Sequence, residues 1–217
     1  MTLNDFQAVI FDLDGLILDT EPTYFAAWQR AATQMGFALP DTFFSSLSGH
    51  SYKEIQALLE AQCGQQFDFE VFHRLSSQCW RDLVLRQGII VKRGVLNLVE
   101  RLNAKNIPYC IATNSPRANA LECLTLANIA ALFPCIVARE DVIHAKPMPD
   151  IFLKAASVLN VDVTACVVFE DSLAGVLAAS RAGAFTVFVP SVLPADSEAS
   201  ALAHLTLAHL DEFLIFG

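Results

Sequence analysis

The chain has 217 residues, 54% of them hydrophobic, enough to bury the core of one domain or of one domain carrying a sizeable insertion. With 14 basic against 23 acidic side chains its net charge is −9, which excludes nucleic acid as the main partner, because phosphate backbones demand a basic surface. No apolar stretch reaches about 18 uninterrupted residues, and MTLNDFQ lacks the basic start and cleavage site of a secretory signal, so a cytoplasmic protein without a membrane span is expected.

The first predicted strand, 7–11, runs directly into FDLDGLILDTE, which sets Asp12, Asp14 and Asp19 behind a buried apolar run. From 20 to 87 no strand pattern appears, whereas Ile55, Leu58 and Leu59 repeat helically, as do Phe72, Leu75, Cys79 and Leu83. That interval is too long for a simple crossover and predicts a helical insertion at 20–87, with Phe25 and Trp28 packing its first helix. Asp19 is expected to hold the turn that leads into it. The remaining core, 1–19 and 88–217, alternates regularly. Helices are predicted at 95–102, 117–127, 150–159 and 172–182, and strands at 107–112, 134–137, 165–169 and 185–189, followed by a weaker helical tail at 194–217. Strands separated by helices indicate an α/β fold whose parallel sheet is covered on both faces.

Six cysteines are scattered without a C-x-x-C pair and read as small, reduced core residues. His73, His144, His204 and His209 have no metal-ligand spacing and read as surface residues. Gly175 reads as a position of close helix packing.

In an open parallel sheet, ligands bind beyond the carboxyl ends of the strands. There the sequence places Asp12 and Asp14, then Thr113, Asn114 and Ser115, then Glu170 and Asp171, with Lys146 a loop beyond the third strand. Singly, each is an ordinary cap or turn residue. Together, Asp12, Asp14, Glu170 and Asp171 crowd four negative charges, a conflict that a hard divalent cation with oxygen ligands, Mg²⁺, resolves. A calcium loop of EF-hand type does not fit, since Gly15 comes too early and a strand precedes it. One carboxylate held against such a metal can attack phosphorus in line. A second carboxylate two residues on can protonate the leaving alkoxide and then activate water. The Thr113 hydroxyl and the Lys146 ammonium can stabilise the transferring phosphoryl oxygens.

Four ordered motifs, FDLDGLILDTE, IATNS, KPMPDIF and EDSLAG, resemble the haloacid dehalogenase superfamily, most closely its branch of β-phosphoglucomutase and sugar-phosphate phosphatases. The resemblance covers about residues 7–190. It implies a Rossmann-like core with an inserted helical cap, Mg²⁺ as cofactor, Asp12 as nucleophile and Asp14 as general acid/base. It also implies that Thr113 and Lys146 hold the phosphoryl group. The metal would be bound by Asp12, the backbone carbonyl of Asp14 and Asp171, with Glu170 supporting it directly or through water. Asn114 and Ser115 are candidate substrate contacts, as are Gly49, His50 and Ser51 in GHSYK, where such caps present substrate-facing residues.

Asp14 sets this chain apart from the phosphonate-cleaving and dehalogenating relatives, so Lys53 is not expected to form a Schiff base. Tyr24 and Tyr52 stand where β-phosphoglucomutase has a histidine and an arginine, which tilts the resemblance towards a phosphatase acting on a small phosphorylated metabolite. A phosphohexomutase is the alternative. A phosphorylatable signalling module is a third reading, since receiver domains share this electrostatic pattern but lack a cap. The chain is expected to be a monomer or a weak homo-oligomer.

Overall fold

The computed structural model describes residues 3–47 and 52–216. The chain forms two compact units, one of Met1–Asp19 with Ile90–Gly217 and one of Thr20–Ile89. In chain order the regular elements are β1 Ala8–Phe11, α1 Glu21–Gln34, α2 Asp41–Ser45, α3 Tyr52–Cys63, α4 Phe69–Gln87, α5 Val95–Ala104, β2 Tyr109–Ala112 and α6 Arg117–Leu126. They continue with β3 Ile136–Val137, α7 Asp150–Val158, β4 Cys166–Glu170, α8 Leu173–Ala182, β5 Phe185–Phe188, α9 Ser197–Leu202 and β6 Leu205–Thr206.

Among the described residues, the strands form one parallel sheet in the order β3-β2-β1-β4-β5-β6. Both faces are buried, as the apolar strands demand. Ala8, Ile10, Cys110, Ala112, Val137, Cys166 and Val168 line one face. Ile151, Phe152 and Ala155 of α7 cover it together with Ala178 and Ala179 of α8. By the two-residue period of a strand, Phe11 and Phe169 point the other way. They stack at 5.5 Å, Phe133 meets Phe11 edge-on at 6.2 Å, and Phe213 meets Phe169 edge-on at 5.0 Å. Such rings supply much of the burial energy, about 1.5–3 kcal/mol for each fully buried side chain.

The tail at 194–217 is not simply helical. After α9 the chain adds β6 to the sheet edge, where His204 N–H donates to Thr186 O and Leu207 N–H to Phe188 O, both at 2.9 Å. His204 Nδ1 accepts from Thr186 N–H at 3.1 Å and its ring packs on Phe185. A strand of two residues has no apolar period to read, which is why the sequence pattern misses it.

The unit Thr20–Ile89 is helical. Its core holds Ala31, Ala32, Phe44, Leu47, Leu59, Phe67, Phe69 and Phe72, with Phe25 and Trp28 packed against it. Leu58 is 38% exposed, and α3 turns Ile55, Leu59 and Cys63 inward along one stripe. Trp80 Nε1–H donates to Thr23 Oγ1 at 3.0 Å, and Thr23 in turn donates to Thr20 O at 2.6 Å. Tyr24 stacks on Trp80 at 5.5 Å and on Trp28 at 6.2 Å. No helix among the described residues is long and apolar enough to cross a membrane.

Candidate active site

The sheet order places β2 on one side of β1 and β4 on the other, so the crevice at their carboxyl ends is the topological switch point. The ladder runs one residue past the strands there. Asp12 N–H donates to Phe169 O and Thr113 N–H to Val137 O, each at 3.0 Å, and this backbone pairing fixes where the two side chains emerge. Behind Asp12 the chain turns tightly, with Gly15 N–H bonded to Leu18 O at 2.8 Å. The returning segment closes on it: Leu18 bridges Val91, Lys92 N–H donates to Ile17 O, and Asp19 N–H donates to Ile90 O.

Lys146 is the hub. Its buried Nζ donates to Asp12 Oδ1, to Ala112 O at 2.9 Å and to Glu170 Oε1 at 2.6 Å, so its three protons are all directed at acceptors. The Phe152 ring lies 5.0 Å from the ammonium, a cation–π contact. The backbone of Lys146 is clamped by Asn114, whose Oδ1 accepts from Lys146 N–H at 3.0 Å and whose amide reaches Lys146 O at 3.4 Å. Arg181 of α8 donates to Pro147 O at 2.6 Å and holds the same loop from its other side.

Glu170 is fully buried and doubly engaged. Oε1 meets Lys146, while Oε2 accepts from Asp171 N–H at 3.1 Å, Ser172 N–H at 3.4 Å and Ser172 Oγ–H at 3.1 Å. Ser172 also caps α8, accepting from Gly175 N–H at 3.1 Å. Asp14 turns its carboxylate to Ser115, whose hydroxyl donates to Oδ2 at 2.7 Å. Thr113 is buried, its Oγ1 accepting from Ser115 N–H at 3.0 Å.

Two glycines leave room for the acids. A Cβ on Gly15 would fall 2.0 Å from Asp171 Oδ2, and Gly15 has φ +89°, a conformation that favours glycine. A Cβ on Gly175 would fall 1.8 Å from the Glu170 carboxyl carbon, so that residue makes space for a carboxylate rather than for helix packing. Reading the sequence by residue type missed the parts of Gly15, Phe152 and Arg181. The only cue was the glycine directly behind FDLD.

Asp12, Glu170 and Asp171 can present one oxygen each with all three within 4.8 Å of one another. The Asp14 carboxylate is not in that set, which leaves its backbone carbonyl as the atom the resemblance implies. Burial pushes the Asp12 carboxyl up to about 8, Lys146 opposing and Glu170 and Asp14 adding to the rise. Burial on its own would lower the Lys146 ammonium, but Asp12 and Glu170 outweigh it and hold it charged well above its ordinary range. The cluster is thus short of positive charge. An all-oxygen donor set of this kind suits a hard divalent cation, Mg²⁺ included.

Asp12, Asp14, Thr113, Asn114, Ser115, Lys146, Glu170 and Asp171 therefore come together at one edge of one unit. Gly49, His50 and Ser51 lie outside the described residues.

A family model described as haloacid dehalogenase-like hydrolase matches residues 6–183. The phosphorylated carbohydrates phosphatase of Thermotoga maritima is 33% identical over 177 residues, 82% of each chain. The beta-phosphoglucomutase of Bacillus subtilis is 32% identical over 215 residues, 95% of this chain and 94% of its own. Among solved structures, a HAD hydrolase of family IA from Entamoeba histolytica superposes with a TM-score of 0.79 at 27% identity, covering 95% of this chain and 94% of that one.

Proposed function

The chain belongs to the haloacid dehalogenase-like hydrolases, and on that premise we propose that it is a Mg²⁺-dependent phosphatase of a small phosphorylated metabolite, a sugar phosphate, working through an aspartyl-phosphate on Asp12. The observation that carries this reading is the buried Asp12 carboxylate at the switch point, sharing Lys146 with Glu170 while the Asp14 carboxylate is held apart by Ser115.

Asp12 and Asp171 would hold the metal with the Asp14 carbonyl. Glu170, whose oxygens already bond Lys146 and the start of α8, would act through water. When bound, Mg²⁺ neutralises the acids and the incoming phosphate. An oxygen of Asp12 attacks phosphorus in line, and the bond to the leaving oxygen breaks. Asp14 delivers its proton to that oxygen, then takes a proton from the water that hydrolyses the aspartyl-phosphate. Lys146 and the Thr113 hydroxyl stabilise the phosphoryl oxygens. Asn114 contributes by fixing the Lys146 backbone, and Ser115 by aiming the Asp14 carboxylate.

A phosphohexomutase is the second reading, favoured by the Bacillus subtilis relative. Against it, the position of the mutase histidine holds Tyr24, whose ring is stacked with Trp80 and Trp28. The signalling-module reading is set aside by a hydrolase family match that spans the helical insertion. The test is phosphate release from a panel of hexose, pentose and nucleotide monophosphates, with and without Mg²⁺. Release that needs Mg²⁺ and vanishes in Asp12→Asn supports the phosphatase. Isomerisation of a hexose phosphate with a bisphosphate primer and no net release supports the mutase.

A further inference from the structure

Away from the acids, the sheet unit brings two cysteines together across its β2–β3 edge. Ile111 pairs with Ile136 in parallel register and Ile111 N–H donates to Cys135 O at 3.0 Å, which sets Cys110 and Cys135 opposite each other on adjacent segments of the sheet edge. Both belong to the face lined by Ala112 and Val137, so their side chains share one side of the sheet. The two thiols lie near enough for each to shift the other's ionisation, Cys110 upward and Cys135 downward. Neighbouring strands lie about 4.8 Å apart, inside the Cα separation that a disulfide spans. Cys135 also stands outside β3, an edge strand of two residues, and follows Pro134, so small backbone adjustments there disturb little of the ladder.

The two thiols are not equivalent. Cys110 is fully buried, whereas Cys135 is partly exposed. The neighbouring Cys110 thiol brings the Cys135 thiol down to about 7 against the effect of burial, and Arg117 adds to the fall. Cys63, the other partly exposed cysteine, is displaced upward by burial. A partly exposed thiolate beside a second thiol is the arrangement of a peroxide-sensitive pair.

We propose that Cys135 and Cys110 are a redox modification site: a hydroperoxide oxidises Cys135 and Cys110 closes the pair into an intramolecular disulfide. In the first step the Cys135 thiolate attacks the peroxide, the O–O bond breaks, and a sulfenic acid forms with release of hydroxide or alkoxide. In the second, Cys110 sulfur attacks Cys135 sulfur, the S–O bond breaks, and the departing hydroxide takes the Cys110 proton as water. The dithiol has then lost the two electrons that the peroxide gained.

The test is limited hydrogen peroxide on the purified full-length chain, followed by thiol titration and non-reducing peptide mapping. Titratable thiols are expected to fall by two from six, with a Cys110–Cys135 linkage that dithiothreitol reverses and with Cys63 still free. Cys135→Ala, at a partly exposed position, should abolish that loss of two thiols while keeping the thermal transition of the reduced wild type. As a measurement independent of any variant, iodoacetamide at neutral pH should label Cys135 ahead of Cys63. Six thiols surviving, oxidation of Cys63 first, a linkage other than Cys110–Cys135, or Cys135 halting as a sulfinic acid would each overturn the proposal.

Discussion

The two units of this chain bury polar groups of different kinds. Among the described residues of the sheet unit, the buried polar set includes Asp12, Lys146 and Glu170, three ionisable groups with Lys146 in contact with both acids. Among the described residues of the helical unit it consists of Thr20, Thr23 and Ser76, all neutral, with the Thr23 and Ser76 hydroxyls bonded to carbonyls three residues earlier. Neutral hydroxyls satisfied within one helical turn cost little to bury, whereas ions taken from water carry a heavy desolvation penalty. Ionisable groups retained against that penalty single out the sheet unit for the chemistry proposed above, whereas the described core of the helical unit is packing rich in aromatic rings.

The sharpest way to break this comparison is Asp12→Asn. If the buried charge serves catalysis, turnover should fall by on the order of 10⁴-fold or more in a phosphate-release assay. Stability should move the other way in the metal-free protein. The Asp12 carboxyl sits at about 8 in the folded chain against an ordinary 3.8, so the folded state holds that proton more tightly. The resulting stabilisation is complete below the ordinary value and is lost as pH rises through about 8. The asparagine does not titrate, so in EDTA its melting temperature should gain on wild type as pH rises from 4 to 8. Excess Mg²⁺ should reverse the ranking.

Lys146→Met removes the cation and strands two carboxylates. It should cost about 3–5 kcal/mol of stability, read by denaturant unfolding, and about 10²–10³-fold in turnover. A smaller effect follows from Ser115→Ala, which frees the Asp14 carboxylate from its 2.7 Å hydrogen bond. A loss of about tenfold in kcat with KM little changed is expected, and Ser115→Thr should restore most of it. The smallest effect tests the other side of the comparison. Thr23→Val deletes the acceptor of Trp80 Nε1–H and should cost about 1–2 kcal/mol in thermal or denaturant unfolding while leaving kcat per folded molecule unchanged.

The α/β alternation was legible because strands buried on both faces carry apolar runs and the helices between them repeat at helical spacing. Chemistry-bearing residues stood out because they crowd behind strands, where apolar sequence gives way abruptly to Asp, Thr and Glu. What could not be read was who bonds whom. Asn114 and Ser115 looked alike as strand-end polar residues, yet one clamps the Lys146 backbone and the other aims Asp14. Gly175 looked like a helix-packing glycine until the Glu170 carboxyl was seen to occupy the space of its missing Cβ. Arg181 gives no local signal, because its partner Pro147 is distant in sequence. Leu205–Thr206 pairs through backbone alone, which side-chain patterns do not encode.

The central claim is that Asp12 carries the phosphoryl group, and rapid acid quench during turnover of a radiolabelled sugar phosphate in Mg²⁺ tests it most directly. The account predicts label on the peptide containing Asp12, chasable by excess unlabelled substrate and absent from Asp12→Asn. Turnover with no label on the protein at any quench time, or with label on another residue, would contradict it.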